Sequence, residues 1–165
     1  MASKKGVGLT VAILVAITIA SFFVWLVPQR YDAAFVVSDF KSHLYGVKEI
    51  HLILVDGTEK EFQKMLSGEI TPDQYIEIAE ISSSQINSQI IQLVESNASE
   101  EWQESYLNYI EALRATNSSI RETIVVANRI KDSADKDGIE QILEKIEQLK
   151  EESKSFVSAS DSVRP

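Results

Sequence analysis

The sequence predicts an all-α protein, an N-terminal transmembrane helix followed by an antiparallel up-down-up-down four-helix bundle. Three observations carry this expectation. Gly6–Val27 reads GVGLTVAILVAITIASFFVWLV, without a single charge. Four later stretches repeat their apolar residues at helical steps of three and four. The links between those stretches are short, which favours antiparallel neighbours.

A helix of Gly6–Val27 is about 33 Å long, close to the hydrocarbon thickness of a bilayer. Trp25 suits the membrane–water interface near the far end, and Pro28 follows as a stop. A secretory signal peptide would also start with basic residues such as Lys4 and Lys5, and Thr18-Ile19-Ala20 resembles a cleavage site. The apolar run continues well past Ala20, which favours a retained anchor. Lys4 and Lys5 flank the near end, whereas Arg30 and Lys41 are offset by Asp32 and Asp39. The positive-inside rule then places the N-terminus in the cytoplasm and the remainder outside, as a single-pass protein of the cell membrane. The expected organisation is a cytoplasmic tail (1–5), a transmembrane anchor (6–27), a helical bundle domain (28–157) and a disordered tail (158–165).

The first helical segment of the bundle ends near Ser67. Phe40, Leu44, Val47, His51 and Leu54 recur at helical spacing, and Phe62 and Met65 resume it after Asp56-Gly57. The run IHLILVDG also suits a strand entering a hairpin, but TEKEFQKML supplies no alternating partner, so a helix kinked at Gly57 is expected. Gly68 ends it. Thr71-Pro72 opens the second helix, with Asp73 favourable to the dipole in its first turn. Ile76, Ala79, Ser83, Ile86, Ile90 and Leu93 form its heptad seam, and Asn97-Ala98 ends it.

Ser99 is the expected N-cap of the third helix, although Trp102 stands where a capping box carries Glu or Gln. Its seam is Tyr106, Ile110, Leu113, Asn117, Ile120, Ile124 and Ala127, and it runs to about Ser133. DSADKDG supplies a turn. The fourth helix carries Ile139, Ile142, Ile146, Leu149, Ser153 and Phe156. The closing SASDSVRP is small and polar, hence the expectation of disorder.

All 25 acidic residues follow the anchor, against 14 Lys and Arg, so that part of the chain carries a net −11. Such a surface repels nucleic-acid phosphates, and no nucleic-acid partner is expected. The absence of cysteine excludes disulfides and thiolate chemistry. His43 and His51 are the two histidines, and neither belongs to the Glu-x-x-His pattern of di-iron bundles. No catalytic triad, Walker A loop or dinucleotide fingerprint occurs, so neither enzyme activity nor a metal or other cofactor is expected.

Four polar residues interrupt the seams: His51, Ser83, Asn117 and Ser153. They read as one register-setting polar core cluster. The sharper alternative is a core cavity that holds a small ligand. Trp102, Tyr106 and Tyr109 form an aromatic stripe, expected to fill a wide end of the core with its hydroxyls reaching solvent. Asn97-Ala98-Ser99 and Asn117-Ser118-Ser119 match the N-glycosylation pattern. Asn97, in a turn, is the accessible acceptor; Asn117, in a seam, is not.

The block MASKKGVGLTVAILVAITIASFFVWLVPQ, followed by an acidic, isoleucine-rich, cysteine-free helical region, resembles single-span helical envelope proteins of ammonia-oxidising archaea. The resemblance implies an envelope location and brings no activity with it. In architecture the chain is also similar to the extracytoplasmic four-helix sensor bundles of chemoreceptors. Those return to the membrane through a second span, and no second apolar run follows Val27 here. The expected function is therefore a membrane-anchored extracytoplasmic bundle that acts as a protein-interaction or accessory module of the envelope. Its expected partners are the lipid bilayer, through residues 6–27, and an envelope protein. The alternative is a small-ligand binding or sensor domain using the polar cluster.

Overall fold

In the computed structural model, which describes residues 37–132 and 136–165, the first two helices start where local chemistry dictates. α1 spans Phe40–Ser67, α2 Pro72–Glu95, α3 Glu100–Lys131 and α4 Lys136–Ser162. Asp39 caps α1 by accepting a 3.0 Å hydrogen bond from the Ser42 amide. That bond, reinforced by the Ser42 hydroxyl, holds the Asp39 carboxyl below its ordinary range. Gly68 ends α1 at φ +80°, and its N–H together with that of Glu69 takes up carbonyls of the last turn. Thr71 and Gln74 form a full capping box at α2, with Pro72 just inside the helix. Ser99 precedes α3 with no side-chain cap: the Trp102 amide, which its hydroxyl would accept, donates instead to the Ser99 carbonyl at 2.8 Å.

α1 runs unbroken through Gly57, where the apolar spacing is interrupted. Thr58 supplies the missing seam position between Leu54 and Phe62, sending its hydroxyl back to the Leu54 carbonyl. A threonine that satisfies itself in this way can be buried almost as an apolar residue.

α3 is the axis of the molecule. Side-chain bridges to α2 pair Tyr75 with Thr123 and Ser83 with Asn117, so α2 and α3 are antiparallel. Those to α4 pair Ser105 with Ser160 and Thr116 with Ser153, again antiparallel. α1 runs parallel to α3, with His43 beside Tyr106 and His51 beside Tyr109 and Thr116. The up-down-up-down order is therefore present, but the fourth side of the bundle is not closed. No Cα of α1 comes within 8 Å of one in α4 among the described residues.

The reason lies in α3. Beyond its expected seam it buries a second one, Ser105, Tyr109, Ala112, Thr116, Ser119, Thr123 and Val126, also spaced by fours and threes. Its small members let α4 approach closely. The Ser105 hydroxyl reaches the Ser160 carbonyl at 2.9 Å, and the Ser153 hydroxyl reaches the Ala112 carbonyl at the same distance.

Residues 34–165 form one compact unit. The tail expected to be disordered is, for the most part, the last turn of α4, which continues to Ser162 with Ser160 fully buried. Ile146, Ser153 and Ser160 lie seven apart, so small residues extend the seam that isoleucine began. The Ser105 hydroxyl also satisfies a carbonyl near the helix end that lacks an intrahelical donor. No described helix is long and apolar enough to cross a membrane. The stretch expected to do so, Gly6–Val27, lies outside the described residues.

Gly46 and Gly57 sit on exposed α1 surface, and an added Cβ would meet nothing within 4 Å at either. Gly57→Ala and Gly46→Ala should each stabilise the protein by about 0.5–1 kcal/mol, read as a raised thermal midpoint. Gly68→Ala, equally open in space but held at φ +80°, should destabilise by about 1 kcal/mol or more. Loss of stability in Gly57→Ala would mean that α1 is broken there after all.

Candidate functional site

The four polar seam residues do not form one cluster. They divide into two, on different faces of α3. Ser83 donates to Asn117 Oδ1 at 2.6 Å, and Asn117 Nδ2 donates to Asn87 Oδ1 at 2.9 Å, all at the α2–α3 contact. His51 and Ser153 belong to the other side, where Thr116 joins them. Thr116 and Asn117 are adjacent in sequence and so point about 100° apart around the helix. That single step separates the groups.

The second group is a directed chain of hydrogen bonds. Ser153 commits its proton to the Ala112 carbonyl at 2.9 Å. Thr116 must then donate to Ser153 Oγ, 2.8 Å away, and accept from His51 Nε2, also at 2.8 Å. The remaining ring nitrogen, Nδ1, accepts from the Tyr109 hydroxyl at 2.8 Å. One backbone carbonyl thus fixes His51 as the neutral Nε2–H tautomer. Burial lowers the His51 pKa to about 4, in keeping with a neutral ring that is only 5% exposed. Burial also raises the Tyr109 pKa, so its phenol stays a donor.

The aromatic stripe does not send its hydroxyls to solvent. Tyr106 donates to the Phe40 carbonyl at 2.9 Å and receives His43 Nδ1 at 3.0 Å, while Tyr109 is held by His51. Tyr75, which the heptad reading of α2 passed over, is fully buried and donates to Thr123. Burial pushes its pKa up to about 12.

The His51 chain forms part of the wall of a cleft of about 860 Å³ where α1 and α4 fail to close. Two ion pairs strap the opening. Lys48 meets Asp161, and Glu59 meets Lys150 at 2.7 Å. The straps are eleven residues apart on both helices, or about 16 Å. Burial raises the Glu59 pKa, but hydrogen bonds from Lys150 and Gln63 outweigh it and leave the carboxyl lowered. Lys48 also lies over the Tyr109 ring, 5.4 Å from its centroid. Between the straps the walls are apolar, with Leu52 and Val55 on α1 and Val157 on α4.

Asn97 is exposed between α2 and α3 at φ +48°, a conformation that asparagine tolerates well, whereas Asn117 is buried. No group of three or more His, Asp or Glu suited to hold a metal ion occurs among the described residues. Tyr109, Thr116 and Asn87 are the members of these networks that seam reading missed. The signal was available for two of them, since Tyr109 and Thr116 share the second four–three register of α3. No protein-family model matches the chain, and no curated protein or solved structure shows significant similarity to it.

Two predictions follow from the geometry of these networks. Unfolded histidine titrates near 6.5, above the folded His51 value of about 4, so the unfolded chain takes up the proton first as pH falls. The stability that neutral His51 contributes is therefore complete above pH 6.5 and is lost towards pH 4. Between pH 6.5 and 5.5 the loss from this residue should be about 1 kcal/mol in denaturant melts. His43, whose pKa burial also lowers, adds to the same slope. His51→Gln keeps a donor and an acceptor but cannot titrate, and should reduce the slope by the His51 share. An unchanged slope would mean that His51 is not buried neutral.

The Ser83–Asn117 pair calls for a double-mutant cycle. Asn117→Leu alone strands the buried Ser83 hydroxyl, which offsets the gain from filling the seam. With Ser83→Ala added, the same change should become stabilising, by about 1 kcal/mol relative to the sum of the single variants. Strict additivity would show that the hydrogen bond carries no coupling.

Proposed function

We propose that this protein is a membrane-anchored, extracytoplasmic helical bundle that serves as an interaction module of the cell envelope. The uncharged Gly6–Val27 stretch supports the anchor, and the distribution of lysine around it supports a single-pass orientation with the bundle outside. Asn97, exposed in its turn, is the one sequon asparagine that glycosylation could reach.

The observation that carries the interaction reading is the middle of α1. From Ile50 to Val55 the helix is almost uniformly apolar, yet only His51 in that stretch is fully buried. Leu52 and Val55 face the cleft, while Ile50 and Ile53 lie outside its lining, with Ile53 70% exposed. A helix that is apolar all round is normally covered all round. The outer face bearing Ile50 and Ile53 is the surface through which the bundle docks on a protein partner. Burying Ile53 alone would be worth about 1–2 kcal/mol.

The test is capture from the native membrane with the full chain as bait, comparing wild type with Ile53→Glu. A specific envelope protein should co-purify with wild type and be lost with the variant, while the thermal midpoint changes little, since Ile53 supports no core contact. A chain that stays a solitary monomer at all concentrations and captures nothing would overturn the reading.

A further inference from the structure

We infer that the cleft between α1 and α4 is a binding site for an uncharged small molecule with an apolar body and a single hydrogen-bonding head group, received by Ser119. This goes beyond docking at Ile50 and Ile53 and does not depend on it, because neither residue lines the cleft.

The size comes first. At about 860 Å³ the cleft lies within the range of pockets that enclose drug-sized molecules. The two straps leave about 16 Å of its length between them.

Charge comes next. Four cations and four anions line the cleft, so their formal charges cancel. Lys48 and Arg164 both contact Asp161, Lys150 is shared between Glu59 and Glu147, and Lys154 is paired with Glu151. Glu49, exposed in water at the rim, makes no ion pair among the described residues and offers a cation little. An anionic ligand would have to give up its own hydration to compete with the paired cations, without a free counter-charge to receive it. An apolar body meets no such obstacle between Leu52, Val55, Phe62 and Val157.

The head group follows from which hydroxyls are already used. Tyr109, His51, Thr116 and Ser153 spend their protons along the chain that ends on the Ala112 carbonyl. Thr123 donates to the Ile120 carbonyl and accepts from Tyr75. Thr58 donates to the Leu54 carbonyl. Ser119 is different. It lies between Thr116 and Thr123 on the same face of α3, lines the cleft, is only 5% exposed, and hydrogen-bonds to no described residue. Its hydroxyl is open to the cleft, and a carbonyl or hydroxyl on the ligand can take the place of water there.

The experiment uses the purified full chain in lipid nanodiscs with benzophenone as the probe, an uncharged apolar ketone that inserts into nearby C–H bonds on irradiation. Adducts are mapped by peptide mass spectrometry. The expected result is labelling concentrated on Leu52, Val55 and Val157. At sub-saturating probe, Ser119→Ala should lower that labelling about fivefold, the weight of one hydrogen bond. Leu52→Trp, which fills the mouth from an exposed position, should remove labelling at Val157. The anionic analogue 4-benzoylbenzoate should label the same residues about tenfold less. Adducts spread equally over exposed Ile53, Ile81 and Ile91 would overturn the inference. So would cleft labelling that is indifferent to Ser119→Ala. Because no partner protein is present, failure here leaves the docking reading untouched, and failure of capture leaves this one untouched.

Discussion

The closeness of α3 and α4 governs the rest of this bundle. Two hydroxyls, Ser105 on α3 and Ser153 on α4, each reach a backbone carbonyl of the opposite helix. Such short side chains span the gap only if the helix surfaces between them are small, and Ala112, Thr116 and Ser119 make them so. Each bond contributes about 1 kcal/mol net, less than the burial of Leu113 or Ile86, worth about 2 kcal/mol apiece. Apolar packing therefore supplies most of the stability, while the serine bridges decide register. A slip of one residue would rotate Ser153 by about 100° and break its bond to Ala112.

The open side of the molecule follows from the same choice. A helix has a limited circumference, and α3 already gives one face to α2 and its small-residue face to α4. α1 reaches it through larger groups, the His51 ring against Tyr109 and the Phe40 and Tyr106 rings edge to face. These bulkier contacts hold α1 farther from the axis, and the gap towards α4 is spanned by lysine and carboxylate side chains rather than by packing. These pairs, half-buried and still reached by water, hold the gap less firmly than packed apolar side chains would. They mark where the bundle opens most cheaply, at the cleft.

Much of this was legible in the sequence. The four helices, the Thr71-Pro72 start and the Gly68 stop all follow from local chemistry that tertiary contacts do not override, whereas Ser99, the expected cap of α3, makes no side-chain cap bond. Seams written in Ile, Leu and Phe were equally plain in the first three helices, but in α4 the expected Leu149 and Phe156 are only half-buried and Leu143 and Val157 pack against the core instead. What escaped was burial by smallness. Ser105, Ala112, Thr116 and Ser119 repeat with the regularity of a heptad, but hydropathy gives them no weight, so α3 read as a helix with one buried face. The same blindness made the stretch around Ser160 look like a loose tail. The polar seam residues were correctly singled out as buried, yet their grouping depended on the 100° step between Thr116 and Asn117, which spacing along the chain does not reveal across helices.

The direction of the His51 chain bears on what kind of function the bundle can have. A relay that serves catalysis ends on a group able to take or release a proton. This one ends on the amide carbonyl of Ala112, which does neither, and both ring nitrogens of His51 are occupied on the way. Burial that lowers the His51 pKa to about 4 reinforces the point, since the ring resists the proton that a general base would accept. The network behaves as a lock. It joins α1, α3 and α4 at one level and aligns them with one another without tying α1 closely to α4. Helices already aligned around a site favour recognition, because a site that is already shaped spends little of its binding energy on ordering itself. The polar chain thus sets how α1 and α4 stand about α3 at the cleft, which Leu52, Val55 and Val157 line with apolar surface.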